Sequence, residues 1–228
     1  MDGIINLINN SSDKFEHIIC CLRKRGVFAK RLKKDVKIYE LHMSSGNDYT
    51  LPFRLFNLIR KEKIDVVRAF NEDPFFYSFF PARITGTPIV YYHGGRVFPE
   101  VRRRLLIERI LGNFASKVVV PSSDLRDYMV QTVGIRKSIT DVIYNGVDVH
   151  RFKRPVDRDR KREELAIPAN SFVVGTIGRL TEQKDIPTFL KVAQKILETR
   201  DDFYFIIIGD GHLKDELVDL SVQMSLSS

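Results

Sequence analysis

Three cationic or glycine-bearing sites in the sequence have the type and spacing to do chemistry on an anion. Arg179 follows Gly178 at the end of the apolar run Phe172 to Ile177, and Lys184 stands five positions later. Asp185 and Ile186 read as the start of a helix, because Pro187 suits a first helical turn, where its missing N–H costs little. A guanidinium offers a planar fork that matches phosphate oxygens. A lysine adds a point charge, and a helix start adds free backbone N–H groups and the positive end of a dipole. The pattern therefore predicts a site for a diphosphate. Further on, Phe203 to Ile208 is a second apolar run that ends in the turn Gly209-Asp210-Gly211.

A second group lies upstream. His93 ends the run Ile89 to Tyr92 and precedes Gly94-Gly95. A neutral imidazole there can hydrogen-bond a substrate hydroxyl, or it can serve as a loop histidine bonded to nearby backbone. Asn71-Glu72-Asp73 follows the run ending at Phe70 and reads as a turn before Pro74. Arg96, Arg102, Arg103, Arg104 and Arg109, with Phe98, Val101, Leu105 and Leu106, form a basic amphipathic region. Its first reading is a surface helix with a core stripe; the other is contact with an anionic membrane or a charged acceptor. No histidine pair has metal-ligand spacing, so no metal site is expected. Glu182 and Asp210 sit in loops and do not read as the carboxylate pair of a hydrolase.

These residues need elements to position them. The predicted strands are 16–22, 36–41, 65–70, 88–92, 117–121, 141–144, 172–177 and 203–208. Between them, 53–63 is expected as a helix with Phe53, Phe56 and Ile59 on its core face. Residues 98–113 form another, with Leu105 and Ile110 inward and arginines opposite. Ser122 or Ser123 caps a helix over 123–133, and 187–199 buries Leu190, Ala193 and Leu197. Strand–helix alternation predicts an α/β fold of parallel sheet flanked by helices. The uninterrupted apolar runs 118–120 and 206–208 are those of strands covered on both faces.

The chain has 228 residues, 43% hydrophobic and 29% charged, with a net charge of +8. That supports a sizeable core and favours anionic partners. The adjacent Cys20 and Cys21 point to opposite faces of a strand, and fit a reducing cytosol rather than a structural disulfide. No run reaches the roughly 18 apolar residues of a membrane span, and the first residues lack the order of a signal peptide. The expected location is cytoplasmic. The charged stretch 151–170 reads as a basic linker between residues 1–150 and 171–228, and its acidic residues argue against a nucleic-acid tail.

Gly178-Arg179 with Lys184, Gly209-Asp-Gly211, Ile143-Tyr-Asn-Gly-Val-Asp148 and Thr87-Pro-Ile-Val-Tyr-Tyr-His-Gly94 together resemble the family 4 glycosyltransferases, retaining enzymes of the two-domain GT-B fold. The resemblance implies a Rossmann-like acceptor domain over 1–150 and the beginning of a nucleotide-sugar domain over 171–228. It places Arg179 and Lys184 on the donor diphosphate and Gly209 and Gly211 in the donor-domain turn. It makes His93 the candidate catalytic residue near the transferred sugar. A nucleoside diphosphate sugar is then the substrate, with no cofactor or metal required. A saccharide or lipid-linked acceptor is implied, without nucleic acid, and with peripheral contact to the inner membrane face. The family's first strand with its Gly-Gly loop, and its later glutamate pair, have no counterpart here. The leading expectation is a glycosyltransferase, present as a fragment, that transfers a sugar to that acceptor with retention, and the alternative is a non-catalytic truncated fragment of such an enzyme. The rivals are a binding module and an unrelated dinucleotide-binding protein; no Gly-x-Gly-x-x-Gly follows any strand to favour the latter.

Overall fold

The computed structural model describes residues 2–33, 35–96, 101–147, 149–153 and 155–226. Two compact units, 1–147 and 148–228, divide the chain. All eight predicted strands are present, and those that pair among the described residues do so in parallel.

In the first unit the strands are β1 (Ile18–Cys21), β2 (Lys37–Glu40), β3 (Val67–Phe70), β4 (Ile89–Tyr92), β5 (Lys117–Val120) and β6 (Thr140–Val142). They do not join into the single sheet that alternation suggests. β3-β4-β5-β6 make one four-stranded sheet, and β1-β2 pair separately. The helices are α1 (Asp2–Asn10), α2 (Leu51–Lys61), α3 (Glu72–Thr85), α4 (Arg102–Gly112) and α5 (Ser123–Tyr128). A single π-type stretch, Met129–Val133, continues α5.

The core of this unit is a layer of helices against the central strands. Val118 and Val120 of β5 are fully buried, as their uninterrupted apolar run requires. Phe75 of α3 stacks on Tyr91 of β4, with ring centroids 4.1 Å apart and planes 10° apart. Phe79 meets Phe75 edge-on. α3 carries weak helical periodicity in sequence, since Tyr77, Pro81 and Ile84 lie off the arc that Phe75, Phe76, Phe79 and Phe80 share. It begins at Asn71, whose φ of 67° and ψ of −176° are unusual for any residue but glycine. Asn71 does turn the chain, and its side chain accepts a hydrogen bond from the Gly94 N–H at 3.0 Å.

Two helices present faces other than those expected. In α2 the buried stripe is Leu51, Leu55 and Ile59, and Phe53 is 73% exposed. The stripe with four-residue spacing lies one step around the helix from the aromatic one, and the smaller side chains fit the space beside α3. In α4, Ile110 is exposed and Glu108 is 2% exposed. The inward face runs through Leu105, Glu108, Leu111 and Gly112. The start of the predicted 98–113 helix, with Phe98, lies outside the described residues, as does Asp148. Ser122 caps α5 as expected, its Oγ accepting from the Leu125 N–H at 3.2 Å. Asp48 anchors the start of α2: its carboxylate accepts from the backbone N–H groups of Ser44, Thr50 and Leu51, and from Arg54.

The second unit holds β7 (Phe172–Ile177) and β8 (Phe203–Ile208), paired in full register. Its helices are α6 (Val149–Phe152), α7 (Arg158–Glu164), α8 (Ile186–Leu197) and α9 (Lys214–Gln223). The charged stretch around 158 is thus helical, capped by Asp157. Leu180, Ile186, Leu190 and Leu217 form a small core. Ile207 and Ile208 are exposed, so the apolar run of β8 does not report burial on both faces, and Leu197 is exposed as well.

Candidate functional site

The C-terminal ends of β7 and β8 bring four predicted site residues together. Strand ends of parallel sheets are where ligands of open α/β folds bind. The Gly178 N–H donates to the Ile208 carbonyl at 3.0 Å, and the Leu180 N–H to that of Asp210 at 3.0 Å. The two strand ends therefore cross backbone to backbone. A Cβ on Gly209 would overlap the Gly178 carbonyl oxygen, and one on Gly211 would overlap that of Leu180. Both glycines are required by this close approach before any ligand is considered.

Arg179 and Lys184 are exposed on the loop that this crossing fixes, and neither is ion-paired to another described residue. The lysine's alkyl chain runs against Gly178. A turn of 3₁₀ helix, Glu182–Lys184, leads into α8. Asp185 takes a left-handed backbone, φ 45° and ψ 47°, and its side chain caps nothing. The start of α8 thus has no carboxylate cap, Pro187 carries no N–H, the Thr188 N–H donates to the Asp185 carbonyl at 3.1 Å, and Lys184 stands two residues before the helix. Glu182 is turned to His212, whose Nε2 lies 2.9 Å from its Oε1. That contact holds the Glu182 carboxyl below its ordinary range.

His93 belongs to the first unit, at the end of β4, where its backbone N–H donates to the Val119 carbonyl at 2.9 Å. The side chain is 2% exposed. Its Nδ1 lies 2.7 Å from the Tyr91 hydroxyl and 3.2 Å from Glu108 Oε1. The Tyr91 hydroxyl donates to the same Glu108 oxygen at 2.5 Å. Nε2 of His93 is buried and has no hydrogen-bond partner among the described residues. Glu72, at the first turn of α3, approaches the group, and burial followed by the Glu108 charge pushes its carboxyl above the usual range. Arg104 pairs with Glu72 at 3.8 Å and with Asp73.

Glu72, His93 and Glu108 place one ligand atom each within 4.8 Å of one another, a spacing that would accept a divalent cation. Glu108 already accepts from Tyr91, and Glu72 already pairs with Arg104. No sequence motif singles out Glu108. It sits inside Arg102-Arg-Arg-Leu-Leu-Ile-Glu-Arg109, where an exposed charge is the default reading. Its position three residues after Leu105 and three before Leu111 is the one signal that places it inward.

Solved structures share this fold. The HepE protein from Anabaena, crystallised with UDP and glucose, superposes over 92% of this chain and 59% of its own, with TM-score 0.77 and 21% identity. A UDP-N-acetylglucosamine 2-epimerase from Rickettsia bellii covers the whole chain at TM-score 0.63 and 18% identity. The fold is the Rossmann-like α/β architecture of GT-B glycosyltransferases. Residues 4–151 match Glycosyltransferase Family 4 and residues 157–228 match Glycosyl transferases group 1, and the chain belongs to the family 4 glycosyltransferases. One relative is the UDP-Gal:alpha-D-GlcNAc-diphosphoundecaprenol alpha-1,3-galactosyltransferase of Escherichia coli. It is 30% identical over 173 residues, which are 72% of this chain and 45% of that enzyme. The chain thus spans less than half the length of that curated relative.

Proposed function

We propose that this chain supplies the acceptor half and part of the donor site of a retaining glycosyltransferase that moves a sugar from a nucleoside diphosphate sugar. The observation that carries the reading is the pair Arg179 and Lys184, both exposed on the loop between β7 and α8 that the close approach of Gly209 and Gly211 fixes. Two cations and a helix start meet the charge of a leaving diphosphate without a metal ion. In this reading no protein nucleophile is needed: the leaving phosphate oxygen takes the acceptor's proton, and the protein orients both substrates. His93 hydrogen-bonds a sugar hydroxyl.

The names of the relatives support a UDP-sugar donor and a lipid-diphosphate acceptor. A peripheral membrane contact fits that acceptor. Leu106, Ile110 and Phe114 are exposed on and just after α4, beside Arg102 and Arg103. No described helix is long and apolar enough to cross a membrane. The binding expected of a nucleoside diphosphate is weak, about −4 to −6 kcal/mol. Calorimetric titration of UDP and GDP into wild type and Arg179→Ala, with a sugar-transfer assay on the same preparation, tests this. Binding unaffected by Arg179→Ala would defeat the diphosphate assignment.

A further inference from the structure

The hydrogen-bond directions around His93 fix where its proton must be. Glu108 Oε1 has two neighbours at hydrogen-bonding distance, the Tyr91 hydroxyl at 2.5 Å and His93 Nδ1 at 3.2 Å. An oxygen approached by two polar groups in a buried site acts as the acceptor for both. The Tyr91 hydroxyl has one proton, and it is spent on Glu108. Burial and the Glu108 charge push the Tyr91 phenol far up, so it stays protonated. The same hydroxyl lies 2.7 Å from His93 Nδ1, and with its proton committed it can only accept there. Nδ1 must therefore carry a hydrogen, donated towards Tyr91 and Glu108 together.

We propose that Glu108 and Tyr91 are positioning residues that lock His93 as its Nδ1–H tautomer and so present Nε2 as a hydrogen-bond acceptor for a hydroxyl of the sugar substrate. Nε2 is buried and unpartnered among the described residues. A buried polar atom in that state is destabilising unless a partner arrives. Lacking a proton, it rejects carbonyl and phosphate oxygens and takes an O–H donor. The other tautomer would reverse that choice, which is why the second nitrogen's hydrogen bonds matter. Phe75, stacked under Tyr91, holds the phenol that completes the network.

The role assigned to the sugar rests on the glycosyltransferase reading, but the tautomer does not, so the test needs no nucleotide. Long-range ¹H–¹⁵N correlation spectra of the chain labelled with ¹⁵N-histidine distinguish a protonated from an unprotonated ring nitrogen. The signal missing from His93→Gln identifies the residue. The expected result at neutral pH is a protonated Nδ1 and an unprotonated Nε2, retained in Tyr91→Phe through the direct Glu108 contact and lost to a mixture in Glu108→Gln. A protonated Nε2 in the wild type overturns the proposal whether or not the variants fold. So does one equivalent of Zn²⁺ shifting the His93 signals, which would make Glu72, His93 and Glu108 a metal centre. A failure of UDP-sugar to bind would instead count against the glycosyltransferase reading and leave the tautomer standing.

Discussion

Removing the ring of Phe75 should unfold the first unit far more easily than removing any exposed ring of similar size. Phe75 is fully buried, with Tyr91 stacked at 4.1 Å and Phe79 edge-on at 5.7 Å. Truncating a core phenylalanine to alanine costs about 3–5 kcal/mol, the lost transfer energy plus the cavity. The stacked and edge-on partners, each worth about 0.5–1.5 kcal/mol beyond area, place Phe75→Ala in the upper part of that range, about 4–5 kcal/mol. Phe53 supplies the control. It is 73% exposed, so roughly a quarter of a 200 Å² side chain, about 50 Å², leaves water on folding. At about 25 cal/mol per Å² that is near 1 kcal/mol, and alanine regains about half of it through helix propensity. The chain has no tryptophan, and every tyrosine except Tyr204 lies in the first unit. Urea unfolding followed by tyrosine fluorescence therefore reports that unit. A Phe75→Ala midpoint within about 1 kcal/mol of wild type, or a Phe53→Ala loss as large, would refute the packing described.

Gly209→Ala should destabilise the second unit and abolish nucleotide binding together, because a Cβ there meets the Gly178 carbonyl; hydrogen exchange at β7 and β8 would show lost protection, and normal protection would contradict the close approach. The hydrogen bonds of Thr50, Ser44 and Arg54 hold the Asp48 carboxyl well below its ordinary range. Its stabilisation is then complete above about pH 5 and is lost as the pH falls through the folded value. Asp48→Asn should lower stability at pH 7 and differ progressively less from wild type towards pH 2, as read by urea midpoints. Burial, then the neighbouring Cys21, pushes the Cys20 thiol up to about 11. Alkylation of Cys20 by iodoacetamide at pH 8 should run on the order of a hundredfold slower than in urea, and equal rates would show that the strand does not bury it.

The strands were legible because short uninterrupted apolar runs between polar segments have few alternatives in an α/β chain. Helix faces were less so. α2 offers two stripes, Phe53-Phe56 and Leu51-Leu55-Ile59, and only the space beside α3 selects the second. α3 itself escapes periodicity because its apolar residues fall on both the buried face, at Phe75 and Phe79, and the exposed one, at Phe80 and Ile84, and because Pro74 and Pro81 suggest breaks. Arg179, Lys184, Gly209 and Gly211 could be named from type and spacing, and the structure gathers them at one pair of strand ends. Glu108 could not, since a buried carboxylate in an arginine-rich helix is visible only once Tyr91 and His93 are seen to need an acceptor. The Asn71 backbone is similarly silent in sequence, because its conformation is held by Gly94, 23 residues away.

The central claim is that the loop from Gly178 to α8 is a diphosphate site. Amide chemical-shift mapping with UDP, compared with uridine at the same concentrations, tests it most directly. The account predicts that UDP, and not uridine, moves the amides of residues 178–188 and of the 209–211 turn, and that Lys184→Ala weakens the response several-fold. Equal shifts from uridine, or UDP shifts confined to residues outside these two loops, would contradict it.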